Sequence, residues 1–251
     1  MKIAVIIPSR YGSSRFEGKP LARICGKPMI QRVTEAALAA KNVTDVVVAT
    51  DDPRIAEAVR GFGGRPVMTG RGNRSGTDRV AEAAERMGLS LDDIVINVQG
   101  DQPLLEPRCL DAVAAPLVSD PAIGMTTLAF RIVNPDEITN PKDVKVTFDA
   151  RGFALYFSRS PIPFGRDSDT VFDTYKHLGV YAYTRRFLEI FRQLPEGRLE
   201  AIEKLEQLRA LEFGHRIKIV VTPYDSPEVD LPEDIERMET LLQSAGTAGK
   251  G

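Results

Sequence analysis

The sequence is poor in cysteine, with only Cys25 and Cys109 among 251 residues. The two lie far apart along the chain, and neither has neighbours at the spacing of metal ligands. We therefore interpret both as small packing residues and expect a reduced, cytoplasmic protein.

Long apolar runs and an excess of basic residues are also absent. No stretch approaches the roughly 20 apolar residues that span a bilayer, and Met1-Lys2 leads directly into a predicted strand rather than into a signal-peptide pattern. We expect no membrane partner. The formal net charge is −2, which gives no electrostatic basis for binding a polyanion, so we expect no nucleic acid partner either.

Two common phosphate-binding motifs are missing. A P-loop would need glycine where Ser13 stands and a hydroxyl residue where Pro20 stands. The dinucleotide fingerprint fails because Gly70 and Gly72 are followed by Ser75 instead of a third glycine, and no strand leads into them. A dehydrogenase is therefore disfavoured.

A different phosphate-binding loop opens the chain. The apolar run 3–7 ends at Pro8, and the following loop contains glycines, serines and the cationic residues Arg10, Arg15 and Lys19. Small residues let backbone N–H groups approach an anion, so this pattern predicts a polyphosphate cradle. A solvated basic turn is the alternative interpretation.

The first half of the chain alternates between strands and helices. The predicted strands are 3–7, 46–50, 67–68 and 94–98, and the predicted helices are 28–40, one from Pro53 and 77–87. This βαβ order predicts a doubly wound, mainly parallel sheet with right-handed connections.

The second half of the sequence predicts strands that pair in an antiparallel arrangement. Its predicted strands are 125–133, 144–148, 153–157, 179–183 and 217–222, with a hairpin turn at 149–152 and helices at 199–213 and from Leu231. No linker or internal repeat divides the chain. We predict one α/β domain, 1–243, with a mixed sheet and a smaller antiparallel lobe at roughly 125–190, followed by a flexible tail, 244–251.

Two acidic positions are candidate metal ligands. Asp101 follows the predicted strand 94–98, and ligands bind at the carboxyl ends of parallel strands. A carboxylate there suits Mg²⁺ held between protein and phosphates, and capping of the turn before Pro103 is an equal alternative. Asp230 lies in an acidic turn at a helix start, where capping is the stronger interpretation. Together, the two aspartates are what a Mg²⁺-dependent phosphoryl-group transfer needs.

Several other polar groups have two interpretations each. Ser75 and Thr77 precede a helix and suit a base or ribose, while Thr77 alone equally suits a helix N-cap. His177 has no His or Cys neighbour, so we interpret it as a hydrogen-bonding residue. Glu206 belongs to a predicted helix whose charges are typical of a solvated face, opposite an apolar stripe at Leu199, Ile202, Leu205 and Leu208.

Taken together, these segments resemble the 3-deoxy-manno-octulosonate cytidylyltransferases, or CMP-Kdo synthetases, from about residue 6 to 238. The matching segments are 7–11, 18–21, 74–79, 97–101, 154–159, 177–181, 205–209 and 229–234. The opening loop alone indicates only the broad class of sugar nucleotidyltransferases. The later motifs, in this order, are much more specific.

The resemblance implies a nucleotidyltransferase-type fold, a homodimer and the reaction CTP + Kdo → CMP-Kdo + pyrophosphate for lipopolysaccharide synthesis. The nucleotide-binding residues that it implies are Pro8, Arg10, Arg15, Lys19, Arg74, Ser75, Thr77 and Gln99. Those implied for the sugar acid are Arg159, His177, Tyr181, Glu206 and Gln207. Asp101 and Asp230 match the Mg²⁺ ligands, and they form the implied catalytic set together with Arg10 and Lys19.

The chain departs from the family pattern at a few positions. Phe16-Glu17 replaces the usual Leu-Pro, so the Glu17 carboxylate must point outward or pair with an arginine to avoid opposing anion binding. Ser9 replaces a common Ala. Gln102 replaces a common Glu, and Leu231 replaces a common Thr. Both residues flank the predicted metal carboxylates, so they are expected to affect the contacts that orient those carboxylates.

Three alternatives remain beside this interpretation. The first is a cytidylyltransferase for a related acid, such as 8-amino-Kdo or a sialic acid. The second is a non-catalytic CTP sensor, and the third is a dehydrogenase. The sensor is disfavoured because sensing does not need paired carboxylates, and the dehydrogenase lacks its glycine fingerprint. For the implied homodimer, Tyr156, Phe157 and Phe172 suit an interface in the antiparallel lobe, and each suits a core position equally well.

Overall fold

The structure, a computed structural model, describes residues 1–12, 15–167 and 169–248, and the side chains of the last helix as far as Ser244. Ser13 of the opening loop and residues 249–251 of the predicted tail lie outside this range. The chain forms two compact units, Met1–Asp111 with Ser226–Gly251, and Ala112–Asp225.

The first unit is built on a parallel sheet. Its strands are β1 (Ile3–Ser9), β2 (Arg23–Ile24), β3 (Lys27–Pro28), β4 (Asp45–Thr50), β5 (Pro66–Met68) and β6 (Ile94–Asn97). The pairs β6–β1, β1–β4 and β4–β5 are all parallel, while β2 and β3 form a small antiparallel pair. The helices up to the second unit are α1 (Met29–Leu38), α2 (Pro53–Gly61), α3 (Gly76–Arg86) and α4 (Pro107–Ser119).

Burial explains why these strands could be predicted. Val5 of β1 lies between Val46 of β4 and Ile96 of β6. Ala4 to Ile7 have no solvent exposure, and β6 is equally buried. A parallel strand covered on both faces needs apolar side chains at every position, which produces an unbroken apolar run in the sequence.

The second unit is mainly antiparallel. Its strands are β7 (Met125–Arg131), β8 (Lys145–Phe148), β9 (Ala154–Ser158), β10 (Tyr175–Thr184) and β11 (Lys218–Thr222). β10 pairs antiparallel with β7 and β8, β8 with β9, and β11 runs parallel to β7. The predicted hairpin turn is confirmed, since the backbone N–H of Asp149 donates to the carbonyl of Phe153 at 2.8 Å. The helices are α5 (Asp136–Thr139), α6 (Arg185–Gln193), α7 (Arg198–Glu203) and α8 (Leu208–Glu212).

The prediction of one helix over 199–213 is wrong. The chain leaves α7 at Lys204, whose φ of 53° is left-handed, and re-enters a helix only at α8. Arg159 donates hydrogen bonds to the carbonyls of Glu203 and Lys204 at this break, so a tertiary contact replaces the helical pattern. Ile202 of the predicted apolar stripe is 66% exposed.

A second correction concerns Cys25. It is exposed, with a φ of 43°, and does not pack in the core, whereas Cys109 is buried as predicted. The turn between β2 and β3 places Cys25 at the surface. Helices α4 and α6 had no counterpart in the predicted elements, although α4 shows helical spacing in Leu110, Val113 and Leu117, which are all buried.

The last helix, α9 (Asp234–Ala248), returns the chain to the first unit. Its Met238 is buried against Ile24, Met29 and Val229. The helix continues through Ala248, so the segment predicted as a tail from residue 244 begins within α9.

The α/β fold class with a mainly parallel mixed sheet is confirmed. Within the described ranges, no helix combines the length and the apolar character needed to cross a membrane.

Candidate active site

The first unit brings Asp101 and Asp230 close together, and Val229, which directly precedes Asp230, makes the connecting contact. Val229 is fully buried in the cluster that holds α9, and its backbone N–H donates to the carbonyl of Asp101 at 3.0 Å. Asp230 is the next residue, so it is held beside the end of β6. The predicted convergence of two acidic residues therefore has a structural basis.

Lys19 joins the same place from the opening loop. Its Nζ lies 2.6 Å from Asp101 Oδ2 and 2.9 Å from the carbonyl oxygen of Val229. Gly18, which precedes it, has a φ of 68°, and a Cβ there would approach the Tyr11 ring to 3.2 Å. Glycine is thus needed to turn the chain and deliver Lys19. Only 16% of the Lys19 side chain is exposed, so solvent screens this ion pair weakly.

Arg15 pairs with the other aspartate. Its Nη2 lies 3.1 Å from Asp230 Oδ1, and 61% of the Arg15 side chain is exposed. A pair this exposed contributes little to stability. Each predicted metal carboxylate is therefore in contact with a predicted phosphate-binding cation. Glu17 is exposed, as its position beside an anion site requires.

Glu228 is a third acidic residue here, and the sequence interpretation missed it. Gln102 is fully buried, and its Nε2 donates to Glu228 Oε1 at 3.1 Å. Glu228 as a whole is exposed, but desolvation of its carboxyl group, reinforced by the negative charge of Asp101, raises its pKa. The uncommon Gln102 was the available signal, because a buried neutral amide can contact a carboxylate that a second carboxylate would repel.

The side chains fit a hard cation at Asp101 and Asp230. Asp101 Oδ1 is buried and has no hydrogen-bond partner among the described residues, and carboxylate oxygens are the ligands that Mg²⁺ prefers. No group of three or more His, Cys, Asp or Glu that could hold a metal ion occurs in the described part of the chain.

The loop before α3 is anchored by Arg10. Its Nη2 donates to the carbonyls of Asn73 and Ser75 at 2.7 and 3.1 Å. The N-cap of α3 is Ser75, whose Oγ accepts from the backbone N–H of Asp78 at 3.1 Å. The N-cap interpretation of Thr77 is therefore wrong, since Thr77 lies buried in the first helical turn. Hydroxyl residues two positions apart, Ser75 and Thr77, left the N-cap ambiguous in the sequence.

Arg74, the cation of that loop nearest to α3, is exposed. Its Nε lies 3.2 Å from Asp78 Oδ2, one turn into α3. The ion pair keeps Arg74 at the helix N-terminus, where the helix dipole and backbone N–H groups favour an anion.

Pro8 and Gln99 are the remaining residues predicted to bind the nucleotide. A Cβ on Gly100 would lie 3.4 Å from the carbonyl oxygen of Pro8, and one on Gly76 would lie 3.6 Å from Pro8 Cγ. The end of β1, the loop after β6 and the start of α3 thus meet at Pro8. Gln99 is half-buried, with its Nε2 3.5 Å from Asn97 Oδ1.

The second unit contains a separate polar cluster, formed by His177, Tyr181 and Gln207. The Tyr181 hydroxyl donates to Gln207 Oε1 at 3.0 Å, and the rings of His177 and Tyr181 lie 5.3 Å apart. Gln207 is buried, and its Nε2 has no hydrogen-bond partner among the described residues. Since Oε1 is committed to Tyr181, the cluster offers an amide N–H to an acceptor.

His177 is held as a neutral ring in this cluster. Phe157 packs edge-on against it with ring centroids 5.1 Å apart, and Thr127 Oγ1 lies 2.9 Å from its Nε2. Burial lowers the pKa of His177 to about 3. The hydrogen-bonding role predicted for His177 agrees with these contacts.

Arg159 anchors the break between α7 and α8. Its Nε donates to the carbonyl of Glu203 at 2.7 Å and its Nη1 to that of Pro141 at 2.9 Å. The Glu203 carboxylate in turn accepts from the backbone N–H of Arg159 and from the Ser158 hydroxyl, each at 3.0 Å. Glu203 was missed because only its long-range contacts reveal it. Glu206 lies in the connection that these bonds hold.

Known proteins are similar to this chain over most of its length. A family profile described as Cytidylyltransferase matches residues 4–217. A 3-deoxy-manno-octulosonate cytidylyltransferase of Desulfosudis oleivorans is 69% identical over 97% of this chain and 98% of its own. An 8-amino-3,8-dideoxy-manno-octulosonate cytidylyltransferase of Shewanella piezotolerans is 56% identical over 96% of this chain and 99% of its own.

A solved structure agrees with both. A CMP:2-keto-3-deoxy-manno-octonic acid synthetase in complex with CTP superposes with a TM-score of 0.91 at 43% identity, covering 98% of this chain and 100% of its own. Profile, sequence relatives and structure match nearly the same residues. The chain therefore belongs to the 3-deoxy-manno-octulosonate cytidylyltransferase family.

Proposed function

We propose that this protein transfers CMP from CTP to the anomeric hydroxyl of Kdo, giving CMP-Kdo and pyrophosphate. The observation that carries the proposal is the likeness, along nearly the whole chain, to relatives that bear this activity in their names. The contacts of Lys19, Asp101 and Val229 support it, because they assemble cationic and acidic groups at the end of a parallel strand.

In this proposal the first unit binds the nucleotide. Arg10, Arg15, Lys19 and Arg74 provide positive charge for the triphosphate, and cations that face the departing pyrophosphate stabilise it as the P–O bond breaks. Ser75, Thr77 and Gln99 provide hydroxyl and amide groups for the cytidine. Pro8 lies where their three segments meet.

We propose Asp101 and Asp230 as the ligands of Mg²⁺. The buried, unpartnered Oδ1 of Asp101 among the described residues supports this assignment. When bound, Mg²⁺ neutralises negative charge on phosphate oxygens and lowers the proton affinity of the attacking hydroxyl. Asp101 is kept in place by the backbone contact with Val229, and Asp230 by its ion pair with Arg15.

We assign the sugar acid to the polar cluster of the second unit. The buried Nε2 of Gln207 is a donor that suits a carboxylate or hydroxyl oxygen. Arg159 supports the connection on which Glu206 and Gln207 lie, through its bonds to the carbonyls of Glu203 and Lys204. A neutral His177 ring has one acceptor nitrogen, so it can accept a hydrogen bond from a hydroxyl group, which a charged ring cannot do.

The second candidate substrate is the 8-amino analogue of Kdo. Relatives that are 56% identical to this chain are named for that substrate. We rank Kdo first because the relatives named for Kdo include more similar sequences.

We also propose a cytoplasmic homodimer that supplies lipopolysaccharide synthesis. Phe172 is 42% exposed and Tyr156 is half-buried, so both suit an interface. Phe157 has no exposure and is a core residue, which removes it from the interface candidates. Light scattering of the purified protein would measure the assembly, and a monomeric mass would contradict it.

The activity is tested by pyrophosphate release with CTP and Mg²⁺, with Kdo, 8-amino-Kdo and a sialic acid offered in turn. We expect release with Kdo and the highest kcat/KM for it. Reactions without the acid or without Mg²⁺ serve as controls. A higher kcat/KM for 8-amino-Kdo would favour the second candidate, and no release with any acid would overturn both.

A further inference from the structure

Thr127 is the side chain that contacts the His177 ring nitrogen Nε2. It lies on β7, is fully buried, and its Oγ1 is 2.9 Å from His177 Nε2. The same oxygen lies 2.8 Å from the carbonyl oxygen of Val180 and 3.4 Å from that of Leu178. Carbonyl oxygens only accept hydrogen bonds, so Thr127 must be the donor to them.

The strand pairing explains why a carbonyl needs this donor. Along the β7–β10 ladder, Leu128 pairs with Leu178 and the adjacent Thr127 pairs with Tyr181. Gly179 and Val180 are therefore extra residues, without partners on β7, and form a bulge. The Thr127 hydroxyl takes the place of a β7 backbone N–H for the carbonyl of Val180.

A hydroxyl has one proton, and in Thr127 that proton is given to the carbonyl of Val180. The 2.9 Å contact with His177 can then be a hydrogen bond only if the ring nitrogen is the donor. A neutral imidazole carries one N–H, so the proton at Nε2 leaves a lone pair at Nδ1. Nδ1 has no hydrogen-bond partner among the described residues.

We propose that Thr127 fixes His177 as the Nε2-protonated tautomer, so that Nδ1 accepts a hydrogen bond from a hydroxyl group of the sugar acid. Thr127 is a positioning residue that acts through His177. The assignment of the hydroxyl rests on the proposed function, whereas the tautomer is a property of the protein alone. The depressed pKa of His177 supports a neutral ring.

The neighbouring Gln207 gives the cluster a complementary character. Its Oε1 accepts from Tyr181, so its buried Nε2 remains a donor. His177 Nδ1 then accepts while Gln207 Nε2 donates. A ligand that carries both a hydroxyl and a carboxylate, as a sugar acid does, satisfies the two groups together.

Nitrogen NMR of the imidazole rings tests the tautomer in the ligand-free protein. The chain has two histidines, so Gln in place of one identifies the signals of the other. We expect at pH 7 that Nε2 of His177 shows the shift of a protonated nitrogen and Nδ1 that of an unprotonated one. A protonated Nδ1 would overturn the proposal whatever the enzyme assays show.

Variants at position 127 test the positioning role. Thr127→Val keeps the shape and removes the hydroxyl, so we expect the His177 signals to shift and KM for Kdo to rise about tenfold, the effect of one hydrogen bond, with kcat changed less. Thr127→Ser should restore both readouts. Unchanged signals and unchanged KM in Thr127→Val would remove Thr127 from this role.

Thr126→Val is the matched control. Thr126 is the adjacent, equally buried threonine, and its hydroxyl donates to the carbonyl of Val113 at 2.6 Å, away from His177. We expect this variant to lose stability and to keep the His177 signals and KM. If no acid supports pyrophosphate release but the tautomer is as stated, the proposed function fails while the structural assignment stands.

Discussion

Lys19 and Asp101 form an ion pair of 2.6 Å between Nζ and Oδ2, and Lys19 also contacts the carbonyl of Val229. Three segments that are distant in the sequence meet at this one nitrogen atom. In the proposed function, a bound triphosphate would give Lys19 a second anionic partner. The ion pair would then connect the nucleotide to the carboxylate that we assign to Mg²⁺.

Lys19→Met should weaken CTP binding while preserving the length of the side chain. We expect KM for CTP to rise by about 10- to 100-fold, the effect of one or two charge-assisted hydrogen bonds. Initial rates over a range of CTP concentrations would measure it. Lys27→Met, which removes an exposed pair with Glu35, is the control, and unchanged CTP kinetics in the Lys19 variant would exclude a phosphate role.

Asp101→Asn should affect the reaction far more than the fold. Loss of one metal carboxylate is expected to lower kcat by about 10³-fold, since the metal supplies several kcal/mol of charge stabilisation. Turnover and the urea midpoint would be measured together. Glu57→Gln removes an exposed carboxylate of α2 and should leave both unchanged. Turnover of the Asn variant near that of the wild type would exclude Asp101 from the metal site.

His177 should make stability depend on pH. The folded pKa of about 3 lies below the unfolded value of 6.5, so the unfolded chain binds more protons between these values. The free energy of unfolding is expected to fall by as much as about 1.4 kcal/mol per pH unit as pH decreases from 6.5.

His177→Gln should remove this dependence, because glutamine does not titrate. Urea unfolding from pH 7 to pH 4.5, compared between the wild type and this variant, isolates the contribution of His177. His215→Gln serves as the second histidine control. Parallel stability curves for the wild type and His177→Gln would contradict a ring that stays neutral in the folded protein.

Gln102 and Glu228 should respond differently to single changes. Gln102→Glu places a second carboxyl group against Glu228 at a fully buried position, and we expect it to cost about 1–3 kcal/mol of stability. Glu228→Gln changes an exposed residue, and the new amide oxygen can still accept from Gln102 Nε2, so we expect a smaller loss.

The double variant Gln102→Glu with Glu228→Gln restores an amide–carboxyl contact in reverse. We expect it to recover at least half of the summed loss, which a double-mutant cycle from urea unfolding would quantify. Additive losses in the double variant would show that the two side chains do not depend on each other.

Local patterns in the sequence were sufficient to predict the strands whose residues are buried along their whole length. β1, β4 and β6 were predicted within about two residues because strands covered on both faces carry unbroken apolar runs. The helix over 199–213 was wrong because the hydrogen bonds of Arg159 to the chain at Glu203 and Lys204 are invisible in local periodicity.

The candidate site likewise contains residues that the sequence identified and residues that only the structure identified. Motif resemblance selected Asp101, Asp230, Lys19 and His177, whose residue types suggest their chemistry. Nothing in the local sequence distinguishes Thr127 or Glu203 from other residues of their type. Only their contacts with residues distant in the sequence show that they belong to the candidate site. Glu228 lies within an acidic turn for which helix capping was the stronger interpretation, and only its bond to Gln102 shows a further contact.

The position of Val229 also has a consequence for biosynthesis. The first unit contains residues from both ends of the chain, Met1–Asp111 and Ser226–Gly251. During translation the ribosome must make all of Ala112–Asp225 before Val229 and Asp230 emerge. A nascent polypeptide arrested at residue 225 would have its β1–β6 strands but only one of the two aspartates that we assign to Mg²⁺, so the proposed metal site can form only after the whole second unit has been made.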